Sequence, residues 1–187
     1  MSCVKEDTYA HKIAEALESL TSATFHFVKS SATFAGVSSA YNEPQRLGVD
    51  RWLALLAIKA RGENSAVIID VGTACTIDVL ENGHHLGGYI FPGMALARDS
   101  LLANTDKIRF SEDSEPSTSL GTDTASCVLS GIWLTLLASC QSVIDRFPNA
   151  TVYLTGGSAS ELVLLGLDAQ HVDGLVFDGL DFWLNGA

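Results

Sequence analysis

Three short glycine-bearing segments carry residue types that suit chemistry on a phosphate or an alcohol. Asp70-Val71-Gly72-Thr73 ends an apolar run with an acid and follows it with a turn whose backbone N–H groups have no bulky side chain in the way. Such a turn can cradle a phosphate, and the acid beside it suits a cation. The same residues also fit a plain β-turn in which Asp70 accepts turn amides. Thr155-Gly156-Gly157-Ser158 lies where a strand passes into a helix, and a helix N-terminus approached by bare backbone suits a nucleotide. Ordinary strand-to-helix turns use the same residues. Gly48-Val49-Asp50-Arg51 places a carboxylate and a guanidinium at a helix start. Asp50 can cap that helix while Arg51 bridges to a surface acid. Alternatively, Asp50 accepts the proton of a bound alcohol and Arg51 forks around a carboxylate or phosphate. The chain contains no GxxxxGK[ST] and no GxGxxG, so neither a Walker loop nor a dinucleotide fingerprint is present.

The elements that must position these segments follow from hydrophobic spacing. Ala10, Ile13, Ala14, Leu17 and Leu20 predict a helix capped by Asp7 or Thr8, and Thr24 to Val28 alternate like a short strand. Lys29 to Gly48 reads as a long loop with little regular structure, and Arg51 to Ala60 as a buried helix. From Ser65 the texture becomes β. Ala66 to Asp70, Cys75 to Leu80 and Leu86 to Phe91 are three strands, joined by the Val71–Ala74 turn and a Glu81-Asn82-Gly83 hairpin turn. Pro92-Gly93 ends the third, and a helix from Met94 to about Asn104 follows. An acidic, Ser-rich loop covers Ser111 to Ser119. A long helix capped by Thr122 or Asp123 then runs to Arg146. Thr151 to Leu154 is a buried strand, Ala159 to Leu165 a helix, and Leu175 to Leu184 a short strand with a final helical turn. Short hairpins make antiparallel neighbours and helical crossovers make parallel ones, so residues 65–187 predict an α/β lobe with a mixed sheet. The pieces in residues 1–64 cannot make a sheet with a core of their own.

The 187 residues are 47% hydrophobic and 18% charged, enough apolar material for a buried core. Eleven Lys and Arg stand against 22 Asp and Glu, a formal net charge of −11. That balance argues against an electrostatic grip on nucleic acid or an anionic membrane. A phosphate ligand would have to be neutralised by backbone amides and bound cations. Met1 to Asp7 has no basic segment leading into an apolar one, and the longest apolar stretch is taken as Trp52 to Ile58, too short to span a bilayer. Cys3, Cys75, Cys127 and Cys140 form no CxxC pair and read as reduced thiols in or near a core, which points to the cytoplasm. His84 and His85 would face opposite sides of a strand, and no histidine is assigned to a metal.

The order of the motifs adds to what each contributes. Leu47-Gly48-Val49-Asp50-Arg51-Trp52, Asp70-Val71-Gly72-Thr73-Ala74-Cys75-Thr76, His85-Leu86-Gly87-Gly88-Tyr89-Ile90-Phe91-Pro92-Gly93, Gly121-Thr122-Asp123-Thr124 and Thr155-Gly156-Gly157 together closely resemble the type III pantothenate kinases, from Ser2 to the C-terminus. The resemblance implies ribonuclease-H-like lobes of the actin, hexokinase and Hsp70 superfamily. It implies a partial N-terminal lobe in residues 1–64 and a nearly complete C-terminal lobe in residues 65–187. It further implies transfer of the γ-phosphoryl group of ATP to the hydroxyl of pantothenate, with Mg²⁺ and K⁺ or NH₄⁺, by a homodimer. By motif, Asp50 resembles the general base. Tyr41, Gly48, Val49, Asp50, Arg51 and Thr124 resemble pantothenate contacts. Asp70 matches the monovalent-cation ligand, Gly72 and Thr73 a phosphate turn, and Gly156 and Gly157 the adenosine-side turn.

The front of the chain departs from the family pattern. The superfamily's first lobe opens with a hairpin bearing its own DxGN[TS] turn, whereas the sequence contains one D-x-G-[NT], at Asp70. Met1 to Lys5 resembles a point well inside that lobe, so three strands and one helix are expected to be missing. Weak or absent kinase activity is then expected of these residues alone. The competing expectation is a non-catalytic regulatory or interaction relative of the same family.

Overall fold

The computed structural model describes residues 12, 16, 21, 26–105, 108 and 115–186. Along the chain lie β1 (Thr33–Phe34), β2 (Val37–Ser38), α1 (Val49–Ala60), β3 (Ala66–Val71), β4 (Ala74–Glu81) and β5 (His84–Pro92). Then follow α2 (Met94–Asn104), α3 (Thr124–Ile144), β6 (Thr151–Thr155), α4 (Ala159–Leu164), β7 (Gln170–His171) and α5 (Leu175–Asn185). The strands form one sheet in the order β1-β2-β5-β4-β3-β6-β7. β3, β4 and β5 are an antiparallel meander, while β6 returns parallel to β3 and β7 parallel to β6. This is the mixed α/β sheet expected from the sequence, and β5-β4-β3-β6-β7 is the ribonuclease-H-like order.

Sequence explains the meander directly. Ala66 to Ile69 are buried because β3 is central and covered on both faces. Asn82 and Gly83 both take left-handed conformations, φ 51° and 80°, the two-residue turn whose twist matches a hairpin. Alternation along the strands then divides the core. Val67, Ile69, Cys75 and Ile77 pack with Ile132, Trp133, Leu136 and Cys140 of α3 on one face. Ala66, Ile68, Leu80 and Tyr153 pack with Trp52, Leu55 and Leu56 of α1 and Leu175 of α5 on the other. Asp123 caps α3 with a capping box, its carboxylate accepting the Ser126 N–H at 2.9 Å.

Several expectations need correction. Leu175 to Leu184 is a helix rather than a strand with a final turn: Val176, Leu180 and Trp183 recur at helical spacing and line the α1 core. The loop at 29–48 contains the β1–β2 hairpin and a 3₁₀ turn at Pro44–Arg46, elements too short to show any periodicity. β7 escapes notice for the same reason. The N-terminal helix lies outside the described residues apart from Lys12 and Ala16, which are helical; of the strand expected at 24–28, Thr24 and Phe25 lie outside them and His26 to Val28 are irregular. α3, rather than Trp52 to Ile58, is the longest apolar stretch. Its 21 residues carry no charge and its most apolar 18 have a mean hydropathy of 1.8, long and apolar enough to cross a membrane by length and composition. Its Ile132, Trp133, Leu136, Cys140 and Val143 are buried against the sheet. Cys75 and Cys140 are core residues as expected, but Cys127 is exposed.

α1 and α5 meet closely through one glycine. A Cβ on Gly179 would lie 1.9 Å from the Leu53 carbonyl oxygen, so any side chain there forces the helices apart. Gly179→Ala is therefore expected at or above the upper end of the ~1–3 kcal/mol cost of overpacking. Thermal unfolding checks this; an unchanged midpoint would mean that the two helices are not held at this distance.

Candidate active site at the carboxyl ends of β3 and β6

Asp70 closes β3 in parallel register with Thr155 of β6, so the two glycine turns that follow these residues emerge side by side. Their contact is tight. A Cβ on Gly156, which has φ +99°, would lie 2.5 Å from Asp70 Oδ1 and 2.6 Å from the Val71 backbone N and O. The Ser158 N–H donates to the Val71 carbonyl at 3.0 Å, tying the second turn to the end of β3. Gly72 and Thr73 make the two-residue connection to β4 and are exposed, with the Gly72 N–H donating to the Ala74 carbonyl at 3.0 Å. Gly93, at the head of α2, clamps that connection from the other side. Its N–H donates to the Thr73 carbonyl at 2.9 Å, and a Cβ there would lie 2.1 Å from the Gly72 oxygen.

α1 brings the third segment to the same end of the sheet. Gly48 is the N-cap residue without a side-chain cap, so Asp50 is not the cap; it sits inside the first turn and accepts the Arg51 backbone N–H at 2.8 Å. A Cβ on Gly48 would lie 2.6 Å from Asp50 Oδ1, so the glycine leaves the carboxylate room. Asp50 and Val49 are exposed. Asp70 lies close enough to feel the Asp50 charge. Burial first, and then that charge, raise the Asp70 carboxyl above the usual carboxylate range. Two acids within electrostatic reach of one another beside an amide-rich turn make a candidate place for a cation.

Arg51 does pair with an acid, but a buried one. Its Nε donates to Asp78 Oδ2 at 2.8 Å and its Nη2 to Asp78 Oδ1 at 2.6 Å, with both side chains about 5% exposed or less. Burial disfavours the Arg51 charge, and the hydrogen bonds and charge of Asp78 outweigh it, raising its pKa above the ordinary value. Tyr41 joins the same cluster, its hydroxyl accepting from Arg51 Nη1 at 2.9 Å. Thr124 stands apart, as the first residue of α3, the helix packed on the opposite face of the sheet from α1. The structure brings Asp50, Asp70, Gly72, Thr73, Gly156 and Gly157 to one end of the fold and holds Tyr41 and Arg51 beside Asp78 on the α1 face. Sequence reasoning misses Asp78, His85, Gly88 and Gly93 as supports. An acid inside an apolar strand and a glycine pair inside another were the available signals.

Among the described residues, no group of three His, Cys, Asp or Glu side chains is placed to hold a metal. A Mg²⁺ here would need phosphate oxygens for most of its ligands, as is usual for that ion at phosphoryl-transfer sites. Burial and the neighbouring Asp50 charge make Asp70 a candidate for a monovalent cation, and this has a pH signature. With its folded pKa raised, protonated Asp70 contributes stability that is full below the unfolded carboxylate pKa and lost as pH rises through the folded one. A cation relieves the ionised form only. The thermal midpoint gained from KCl, relative to equal tetramethylammonium chloride, is expected to grow as pH rises through that window; a gain independent of pH, or matched by the bulky cation, would count against the site.

Two grooves lie elsewhere, one of about 600 Å³ between β4, β5 and α3 and one of about 620 Å³ between β5, α2 and α3, and none of the three glycine segments lines them. The functional reading rests on the turns rather than on these.

Fold and site together define an α/β protein that gathers glycine turns and carboxylates at the carboxyl ends of two parallel strands, the customary place for a ligand on such sheets. Residues 1–146 match the type III pantothenate kinase family, and the chain belongs to it. A type III pantothenate kinase of Psychrobacter cryohalolentis is 38% identical over 186 residues, covering 100% of this chain and 73% of the relative. One from Marinobacter nauticus is 40% identical over 154 residues, 80% of this chain but 64% of the relative. The chain thus spans about two thirds of the length of these relatives. Among solved structures, a conserved protein of Campylobacter jejuni assigned to the Baf family of transcriptional activators matches with a TM-score of 0.56 and 24% identity, over 78% of this chain and 68% of that one. That likeness speaks for the fold alone.

Proposed function

We propose that these residues serve the ATP-dependent phosphorylation of pantothenate to 4′-phosphopantothenate, the entry step of coenzyme A synthesis. The observation that carries this reading is the convergence of Asp50, Asp70 and the two glycine turns at one end of the β3–β6 pair, in a chain of this family. Asp50 is exposed and held by the Arg51 N–H, free to accept the proton of the pantothenate hydroxyl. Tyr41, Gly48, Val49 and Arg51 bind the rest of pantothenate, with Thr124 as a further contact. The amides of Gly72 and Thr73 hold phosphate oxygens, and Gly156 and Gly157 admit the adenosine side. Asp70 holds K⁺ or NH₄⁺. ATP supplies the phosphoryl group and Mg²⁺ neutralises its charge, so the protein's task is positioning and electrostatic stabilisation.

The same reading assigns residues 1–64 to a first ribonuclease-H-like lobe and residues 65–187 to a second, in a cytoplasmic homodimer. α3 supports the homodimer: only 33% of its most apolar window is buried, leaving Leu134 among the exposed apolar residues. A helix this apolar needs further cover. Calorimetric titration of the chain with pantothenate, with and without an ATP analogue, tests the proposal. Saturable binding of both supports it, and binding of neither refutes it. The alternative is a non-catalytic relative, which would bind pantothenate without turning it over.

A further inference from the structure

Asp78 lies in the interior of β4, outside every segment that carries the proposed chemistry, yet it is 2% exposed and charged. A carboxylate so buried must be matched by donors. Arg51 supplies two and His85 a third, its Nε2 lying 2.8 Å from Asp78 Oδ1. His85 Nδ1 is buried without a hydrogen-bond partner. Facing a carboxylate oxygen, Nε2 serves this contact as the donor. Tyr41 closes the cluster, stacking on His85 at 6.3 Å between ring centres while its hydroxyl accepts from Arg51.

Two backbone features in β5 serve this cluster. The β4–β5 register pairs Val79 with Gly87 and Leu80 with His85, so Leu86 is an extra residue on β5. Without it, regular pairing would place Leu86 opposite Leu80 and turn His85 to the α3 face, since a one-residue slip reverses every side chain. The bulge puts His85 on the α1 face with Asp78. Gly88 then leaves the space the pair occupies. A Cβ there would lie 2.6 Å from both Arg51 Nη2 and Asp78 Oδ1, and 2.2 Å from the Ile77 oxygen.

We infer that Asp78 and His85 are positioning residues that fix the Arg51 guanidinium, and so determine which of its donors remain for the substrate. Arg51 has five N–H groups, of which Asp78 takes two and Tyr41 one. The Nε side of the fork is closed. One N–H on each terminal nitrogen is left for an incoming oxygen. Arg51 thus recognises its ligand end-on through Nη1 and Nη2, and the bidentate fork is used inside the protein. The part of this that concerns pantothenate rests on the proposed function; the orientation of Arg51 does not.

Two measurements on the full chain test this separately. The first is the Arg51 Nε–H resonance by nitrogen-15 NMR. It is expected to be slow to exchange with water in the unaltered protein, and to exchange at least tenfold faster in His85→Leu and Asp78→Asn. Should Asp78→Asn fail to fold, His85→Leu alone decides, since it removes one donor and leaves the Arg51–Asp78 pair without its support. Equal exchange in a folded His85→Leu chain overturns the inference whether or not pantothenate binds. The second is pantothenate affinity, expected to weaken about tenfold in His85→Leu, the effect of one hydrogen bond to a charged group. His85→Gln, which returns a donor to the Nε2 position, is expected to recover most of it. Loss that glutamine does not rescue would make His85 a packing residue only. No pantothenate binding by the unaltered protein would instead overturn the proposed function and leave the resonance to judge Arg51.

Discussion

Replacing Asp50 by asparagine is expected to lower phosphoryl transfer to pantothenate by roughly 10²–10⁴-fold, the usual contribution of a positioned general base. Pantothenate affinity should stay within about threefold. The separation follows from the geometry. Asp50 is exposed and bonded locally to the Arg51 N–H, and it supports no core contact, so its amide isostere keeps the helix start while losing the ability to take a proton. Single-turnover assays beside calorimetric titration distinguish the outcomes. Loss of pantothenate binding together with turnover would make Asp50 a structural residue of the first turn, and unchanged turnover would remove it from the chemistry.

Gly156→Ala is expected to have the other large effect, on stability and nucleotide binding together. The residue combines a left-handed φ of +99° with a backbone approach that leaves no room for a methyl group. Backbone strain of ~1–3 kcal/mol and overpacking of similar size act at one position, and both displace the turn from Asp70 and Val71. Denaturant unfolding should show a loss of about 3 kcal/mol, and affinity for an ATP analogue should fall at least tenfold. Gly157→Ala is the internal comparison, because a Cβ there meets nothing within 4 Å. Equal effects at the two glycines would show that the close approach of the turns is not what matters.

Much of this site is legible from sequence because its parts are local. A glycine turn after a strand, an acid at a strand end and a charged pair at a helix start each announce themselves within four residues. Their meeting needs only the parallel return of β6 beside β3, which the helical crossover predicts. The supports are harder to see because they are tertiary. Asp78 becomes meaningful once α1 lies over β4, and His85 once a single extra residue in β5 turns it to that face. Arg51 illustrates the limit: local pattern offered a surface acid or a ligand as its partner, and the fold supplies a buried carboxylate on a strand 27 residues away. The α5 helix failed to read as one because Val176 and Phe177 favour strands locally, while the face that α1 offers favours a helix.

The most direct test is phosphorus-31 NMR of the chain with MgATP and pantothenate, in potassium and in tetramethylammonium chloride. Formation of 4′-phosphopantothenate that requires pantothenate, is faster in potassium and is abolished by Asp50→Asn is the expected result. Binding of both ligands with no product in either salt would contradict the assignment of Asp50 as a working base and leave a non-catalytic member of the family.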